Sequence, residues 1–163
     1  MKTAKRKYII LAVILCIMYY LLCGSPLVEW RNDRLAKAIQ KMDSDTVTLE
    51  ELVPFAWDAV YTFEPYTSKE SIRETIGFFS PDAPESWGEY TDYIVFTKGN
   101  RIVSNPENGM DELGCCIILP YNGKDGGTGS VHYGEHVLFE REYGSNGVMF
   151  LRAIEKDSDH TIQ

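Results

Sequence analysis

The sequence predicts a small α+β domain following one N-terminal apolar helix. Three features carry that reading: a basic start running into an uncharged apolar stretch, helical spacing confined to the front of the chain, and short period-two runs separated by glycine and proline turns. The expected architecture is a transmembrane helix followed by an antiparallel sheet of about five to six strands packed against one or two helices. The chain divides accordingly into a cytoplasmic basic start and anchor over residues 1–28, a juxtamembrane helix over 29–45, an extracytoplasmic α+β domain over 46–156 and a disordered tail over 157–163.

Lys2, Lys5, Arg6 and Lys7 precede an apolar run from Tyr8 to Cys23 that has no charge, glycine or proline. Extended to Val28 it would cover about 31 Å as a helix, close to the roughly 30 Å of a hydrocarbon layer. With Glu29 the first acid, the positive-inside bias puts the N-terminus in the cytoplasm and the domain outside a single-pass cell-membrane anchor. Cleavage as a signal peptide competes with this reading, although a cut after Gly24 places Leu22 third and a cut after Ser25 places Pro26 just beyond the bond. Lipidation competes too, although Cys16 and Cys23 both follow leucine rather than a small residue.

At 163 residues, 44% hydrophobic and 25% charged, the chain has the composition of one globular domain with an appendage rather than of a disordered polymer. Of its 16 basic residues four precede Tyr8, so 12 bases face 24 acids in the remainder. No Lys/Arg cluster follows residue 41, which excludes the phosphate-neutralising patch that a nucleic-acid partner needs. An acidic surface serves solubility and suits a cationic partner.

Leu35, Ala38, Ile39 and Met42 fall at helical spacing within 30–42, and Asp43-Ser44-Asp45-Thr46 ends that helix. Thr48 and Glu51 form a capping-box pattern before Pro54. In Phe55–Phe63 the aromatics Phe55, Trp57, Tyr61 and Phe63 share one parity, predicting a core strand whose four aromatic side chains bury about 8 kcal/mol at about 2 each. Thr67-Ser68-Lys69-Glu70 reads as a second capping box, opening a helix from Ser68 to Ile76 that Gly77 closes. A loop follows from Ser80 to Gly88. Tyr93–Thr97 and Arg101–Val103 around Gly99-Asn100 predict a hairpin with a type II′ turn. Cys115–Leu119, His136–Arg141 and Val148–Arg152 predict three further strands, the last two joined through Gly144–Gly147.

The run Trp57-Asp58-Ala59-Val60-Tyr61-Thr62-Phe63-Glu64-Pro65-Tyr66-Thr67, with the helix to Gly77 and the strand ending in Val95-Phe96, resembles a W-D-x-V-Y-x-F-x-P-Y pattern of uncharacterised bacterial lipoproteins and small membrane-anchored proteins. The match covers about a third of the chain. It implies bacterial origin and an envelope location and transfers no catalytic residue, and the missing lipobox departs from the lipoprotein members.

His132-Tyr133-Gly134-Glu135-His136 has the H-x-x-E-H form in which a helix presents two zinc ligands and a general base. Gly134 and the following Val137-Leu138-Phe139 favour a strand instead, which would put His132 and His136 on one face and Glu135 on the other. Cys115 and Cys116, adjacent on a strand, should point to opposite faces, and a bond between them would be strained; a bridge to another molecule is the alternative. The glycine-rich segment Asn122–Ser130 lacks the Gly-Lys-Ser/Thr order and following helix of a phosphate-binding loop. Asp43-Ser44-Asp45 and Asp157-Ser158-Asp159 lack the glycine and final glutamate of a calcium loop.

These residues predict no catalytic set, no cofactor and no metal site; Asp58, Tyr66, His132, Glu135 and His136 are the candidate binding residues. The leading expectation is a non-catalytic, membrane-anchored interaction domain with a protein partner. The alternatives are an inhibitor or immunity-type protein that blocks a basic secreted toxin or enzyme, and a metal-dependent hydrolase built on His132, Glu135 and His136.

Overall fold

A computed structural model describes residues 2–23, 25–84, 92–120 and 129–154. The expected tail with Asp157-Ser158-Asp159, the glycine-rich connection through residue 128 and the far end of the Ser80–Gly88 loop lie outside the described residues. Helix α1 spans Lys2–Cys23 and α2 spans Pro26–Gln40. Strand β1 (Thr46–Thr48) runs straight into the short helix α3 (Leu49–Leu52), and β2 (Ala59–Phe63) is followed by α4 (Lys69–Ile76). Among the described residues six strands follow: β3 (Tyr93–Thr97), β4 (Ile102–Ser104), β5 (Cys116–Ile118), β6 (Ser130–His132), β7 (Leu138–Tyr143) and β8 (Met149–Ala153).

Among the described residues no helix is long and apolar enough to cross a membrane. That finding overturns the expected transmembrane anchor, its signal-anchor role and the single-pass placement with the domain outside. Within α1 the uncharged run Tyr8–Cys23 covers 16 residues, about 24 Å at 1.5 Å per residue against the roughly 30 Å required. The side chains from Tyr8 to Tyr19, including Leu11 and Ile14, are exposed.

The single sheet is corrected as well. Among the described residues two four-stranded sheets form, in the orders β1-β7-β8-β5 and β4-β3-β2-β6, and β5 lies parallel to β8 while the other strand pairs are antiparallel. The chain changes sheet between β1 and β2, between β4 and β5, and on either side of β6. A strand separated from its predecessor by a crossover can pair with either sense, so the sense of β5 was not fixed by local turns.

Residues from both sheets interlock in one core. Val60, Ile94, Phe96, Val103 and Val131 of the second sheet meet Val47, Ile117, Phe139 and Leu151 of the first, closed by Leu35 and Ile39 of α2, by α3 and by Trp57. The opposite face of the second sheet is buried too, with Phe63, Val95 and Ile102 packed against Ile72 and Ile76 of α4. Because that sheet is covered on both sides, parity could not name the inner face of β2: Val60 points into the shared core, and Tyr61 and Phe63 point toward α4. Phe55 and Trp57 precede the strand and reach the shared core from the connection, Trp57 meeting Phe96 edge to face at 5.9 Å.

Local chemistry sets the helix ends. Thr48 and Glu51 close both arms of the capping box, Glu51 N–H donating to Thr48 Oγ1 at 3.3 Å and Thr48 N–H to Glu51 Oε2 at 3.2 Å. The cap of α4 is Ser68 rather than Thr67, accepting from Ser71 N–H at 3.1 Å, and Gly77 ends the helix at φ 82°. Helix α2 is tied to the domain at its start, where Ser25 N–H donates to Asp82 Oδ1 at 2.7 Å, and along its length, where Asn32 Oδ1 accepts from Ser104 Oγ at 2.8 Å and Asn105 N–H at 3.0 Å.

Candidate functional site

The histidine-bearing segment forms neither the helix a zinc site needs nor a continued strand. β6 ends at His132, and the chain then turns through Gly134 at φ 92° and His136 at φ 49°. All five side-chain positions of the motif are exposed, and Glu135 turns back so that His132 N–H donates to its Oε2 at 2.8 Å. Glu50, at the front of α3, holds the turn from below: its Oε1 accepts from Gly134 N–H at 2.9 Å and His136 N–H at 3.2 Å and lies 3.8 Å from His136 Nδ1. The Glu50 side chain is only 10% exposed, and its Oε2 is buried with no hydrogen-bond partner among the described residues. Burial pushes the Glu50 carboxyl up, but the amides of Glu50 itself, Gly134 and His136 outweigh it and hold the group below the ordinary glutamate range. Among the described residues no group of three or more His, Cys, Asp and Glu side chains is gathered as a metal site.

Asp58 supports the β3–β4 hairpin. Its Oδ2 accepts from Gly99 N–H at 2.8 Å, and its Oδ1 pairs with Lys98 Nζ at the surface. Lys98 first, then the Gly99 amide, hold the Asp58 carboxyl below its usual value. Its neighbour Trp57 is buried and touches Tyr133 edge to face at 5.3 Å, which links the hairpin end to the His132–His136 turn.

Tyr66 sits in a tight turn in which Thr67 N–H donates to Glu64 C=O at 3.3 Å. It adopts φ 64°, which suits the third residue of a type II turn after Pro65 but disfavours a side chain as bulky as tyrosine, and it is 60% exposed. Tyr66→Gly is expected to raise the unfolding free energy by about 0.5–1 kcal/mol, the left-handed penalty removed less glycine's chain-entropy cost. A thermal melt checks it, and an unchanged midpoint would mean that the ring makes compensating contacts.

A cleft of about 360 Å3 opens between the end of β2 and β5, bringing residues of the two sheets together. Its apolar walls include Phe63, Ile117, Leu119 and Phe150. Two of its polar side chains are committed to the backbone. Asn108 takes the place of a missing neighbouring strand, its Oδ1 accepting from Ile117 N–H at 2.7 Å and its Nδ2 donating to Ile117 C=O at 2.8 Å. Thr62 Oγ1 accepts from Gly129 N–H at 3.2 Å, and a Cβ at Gly129 would sit 2.8 Å from Leu119 Cβ, so only glycine lets the strands approach here. Glu64 and Asp92 also line the cleft, and neither carboxylate has an ion-pair or hydrogen-bond partner among the described residues. Burial, then the charge of Glu64, raises the Asp92 carboxyl; burial, then Asp92, raises the Cys116 thiol. Cys115 is fully buried in the core on the other side of the strand and its thiol is pushed up to about 12, so the two cysteines divide between core and cleft, each free.

A second hollow of about 250 Å3 is lined by Glu29, Asn32, Asp33, Pro106, Asp111 and Glu112. Burial, then Glu112, Asp33 and Asp82, raises the Glu29 carboxyl. Comparison with family models, curated proteins and solved structures gave no match. What the structure adds to the W-D-x-V-Y-x-F-x-P-Y motif is therefore placement: Trp57 in the core, Asp58 on the hairpin, Phe63 and Glu64 at the cleft and Tyr66 in the turn beyond it.

The residues of the cleft did not stand out in the sequence. Glu64 and Asp92 are 28 positions apart and neither belongs to a spacing that implies a site. The same holds for Glu50, whose partners are more than 80 residues away.

Proposed function

We propose that this chain is a non-catalytic interaction domain whose partner is a cationic protein, acting as an inhibitor-type domain that covers a basic surface. The observation that carries this reading is the pair of concave places whose lining, among the described residues, holds several carboxylates and no Lys or Arg. Burial, then Glu112 and Asp33 of the same hollow, raises Glu29, and burial, then Glu64, raises Asp92. Mutual repulsion of this kind costs folding free energy that an incoming cation relieves, so it favours association with positive charge. The excess of 24 acids over 16 bases extends the attraction beyond the two hollows and speeds encounter.

Binding of the full chain to an immobilised arginine-rich peptide across a salt series tests the proposal. Association is expected to weaken by about tenfold or more between roughly 0.05 and 0.5 M salt, as the screening length shortens to a few ångströms. Salt-independent association, or none at low salt, would remove the electrostatic basis of the reading.

A further inference from the structure

We propose that the cleft between β2 and β5 receives a guanidinium group carried on an aliphatic stem, an inference that rests on the cationic-partner reading and specifies its chemistry. Several polar side chains of the cleft are already engaged. Asn108 uses both ends of its carboxamide on Ile117, and Thr62 already accepts from Gly129. The Cys116 thiol, raised by burial and by Asp92, is protonated and neutral near pH 7. Among the described residues, the polar side chains of the cleft still open are the carboxylates of Glu64 and Asp92, which when ionised only accept hydrogen bonds.

A site whose open groups are all anionic acceptors selects a cationic donor and repels carboxylates and phosphates. The apolar side chains select further. Phe150 offers ring surface and Ile118 aliphatic wall beside the two acids, over a floor in which Phe63, Ile117 and Leu119 are buried. A guanidinium suits this combination better than an ammonium: it is planar, less strongly hydrated, packs on aromatic rings, and presents several donors that can serve two carboxylates together. A volume of about 360 Å3 accommodates one such side chain or a small free ligand, and is too small for a folded element. The Gly129 backbone, the Thr62 hydroxyl and the Asn108 bridge hold the two sides of the cleft in place, so the site does not have to be assembled by its ligand.

The test uses the full chain, uniformly labelled with 15N, titrated with n-butylguanidinium and with its neutral isostere n-butylurea. Expected are saturable amide shifts confined to residues 62–64, 92, 108, 116–119 and 129 with the guanidinium, and none with the urea. The isosteric double variant Glu64→Gln/Asp92→Asn alters two exposed side chains and should leave the rest of the amide spectrum unchanged while weakening the guanidinium by about tenfold or more. An acetylated arginine amide separates the sources: equal affinity points to a free guanidinium ligand, and tighter binding to an arginine within a partner chain, either of which supports the site. Scattered shifts, equal response to butylurea, or undiminished binding by the double variant would overturn it. If the double variant still binds the arginine-rich peptide in a salt-dependent manner while butylguanidinium shifts nothing, the cleft assignment fails alone; if the peptide does not bind either, the cationic-partner reading fails with it.

Discussion

Trp57→Ala is expected to lower the unfolding free energy by about 3–5 kcal/mol, a large share of the roughly 5–15 kcal/mol that holds a domain folded. The indole is 2% exposed and sits in the core shared by the two sheets. It meets Phe96 edge to face at 5.9 Å and Tyr133 at 5.3 Å, and Phe96 in turn meets Phe55 at 5.7 Å. Removing it leaves a cavity the size of two fused rings among β-strand side chains, which cannot collapse without shifting both sheets. Urea unfolding of the full chain measures the effect as a shift in midpoint at constant slope. A second readout separates packing from propensity: because Tyr133 rests on the indole, amide exchange at Gly134 and His136 should quicken in the variant beyond what the global loss explains. A loss under about 1 kcal/mol would mean that the core closes without this residue.

Glu50→Ala is the second large effect, expected to cost about 2–3 kcal/mol. The carboxylate makes two charge-assisted bonds, to Gly134 and His136 N–H, from a side chain only 10% exposed, and hydrogen bonds to charged groups contribute about 1.5–3 kcal/mol. Its pH dependence has a definite sign. The folded-state group lies below the ordinary value of 4.5, so the unfolded chain binds the proton first as pH falls. The stabilisation is therefore complete above that ordinary value and is lost as pH falls through the lower folded value. Wild type should lose stability on acidification in that window more steeply than Glu50→Gln, which has no proton to take up there. Parallel curves for the two proteins would show that the carboxylate's charge does not hold the turn.

Much of the local architecture could be read directly. The Thr48–Glu51 capping box, the α4 helix ending at Gly77, the Gly99-Asn100 hairpin and the Gly144–Gly147 turn all form, because each depends on groups within a few residues of one another. Where local rules compete, neighbouring residues alone do not decide the outcome. Thr67 and Ser68 offered adjacent caps, and Ser68 won while the Thr67 hydroxyl turned to the Glu64 carbonyl at 2.7 Å. The stretch from His132 to His136 alternates like a strand, but Gly134 and the grip of Glu50 make it a turn. The apolar run from Tyr8 predicts one helix through residue 28, whereas Pro26 begins a separate helix whose Val28 is buried in the domain. The candidate site was the least legible part: Tyr66 was singled out for its motif and lies just beyond the cleft's Glu64, while Glu50, Asp92, Asn108 and Cys116 acquire their roles only from contacts across the chain.

By itself the sequence determined the secondary elements with nearby partners, the acidic balance and the aromatic weight of the segment around Trp57, since these follow from neighbours along the chain and from composition. Tertiary structure alone decided that the strands divide between two sheets, that β5 runs parallel to β8, that both faces of β2 are buried, and that Glu64 and Asp92 share a cleft. The physical reason is that side-chain parity and turn chemistry act over a few residues. The choice of a strand's partner and of the face it buries is settled by packing among segments that are distant in the sequence.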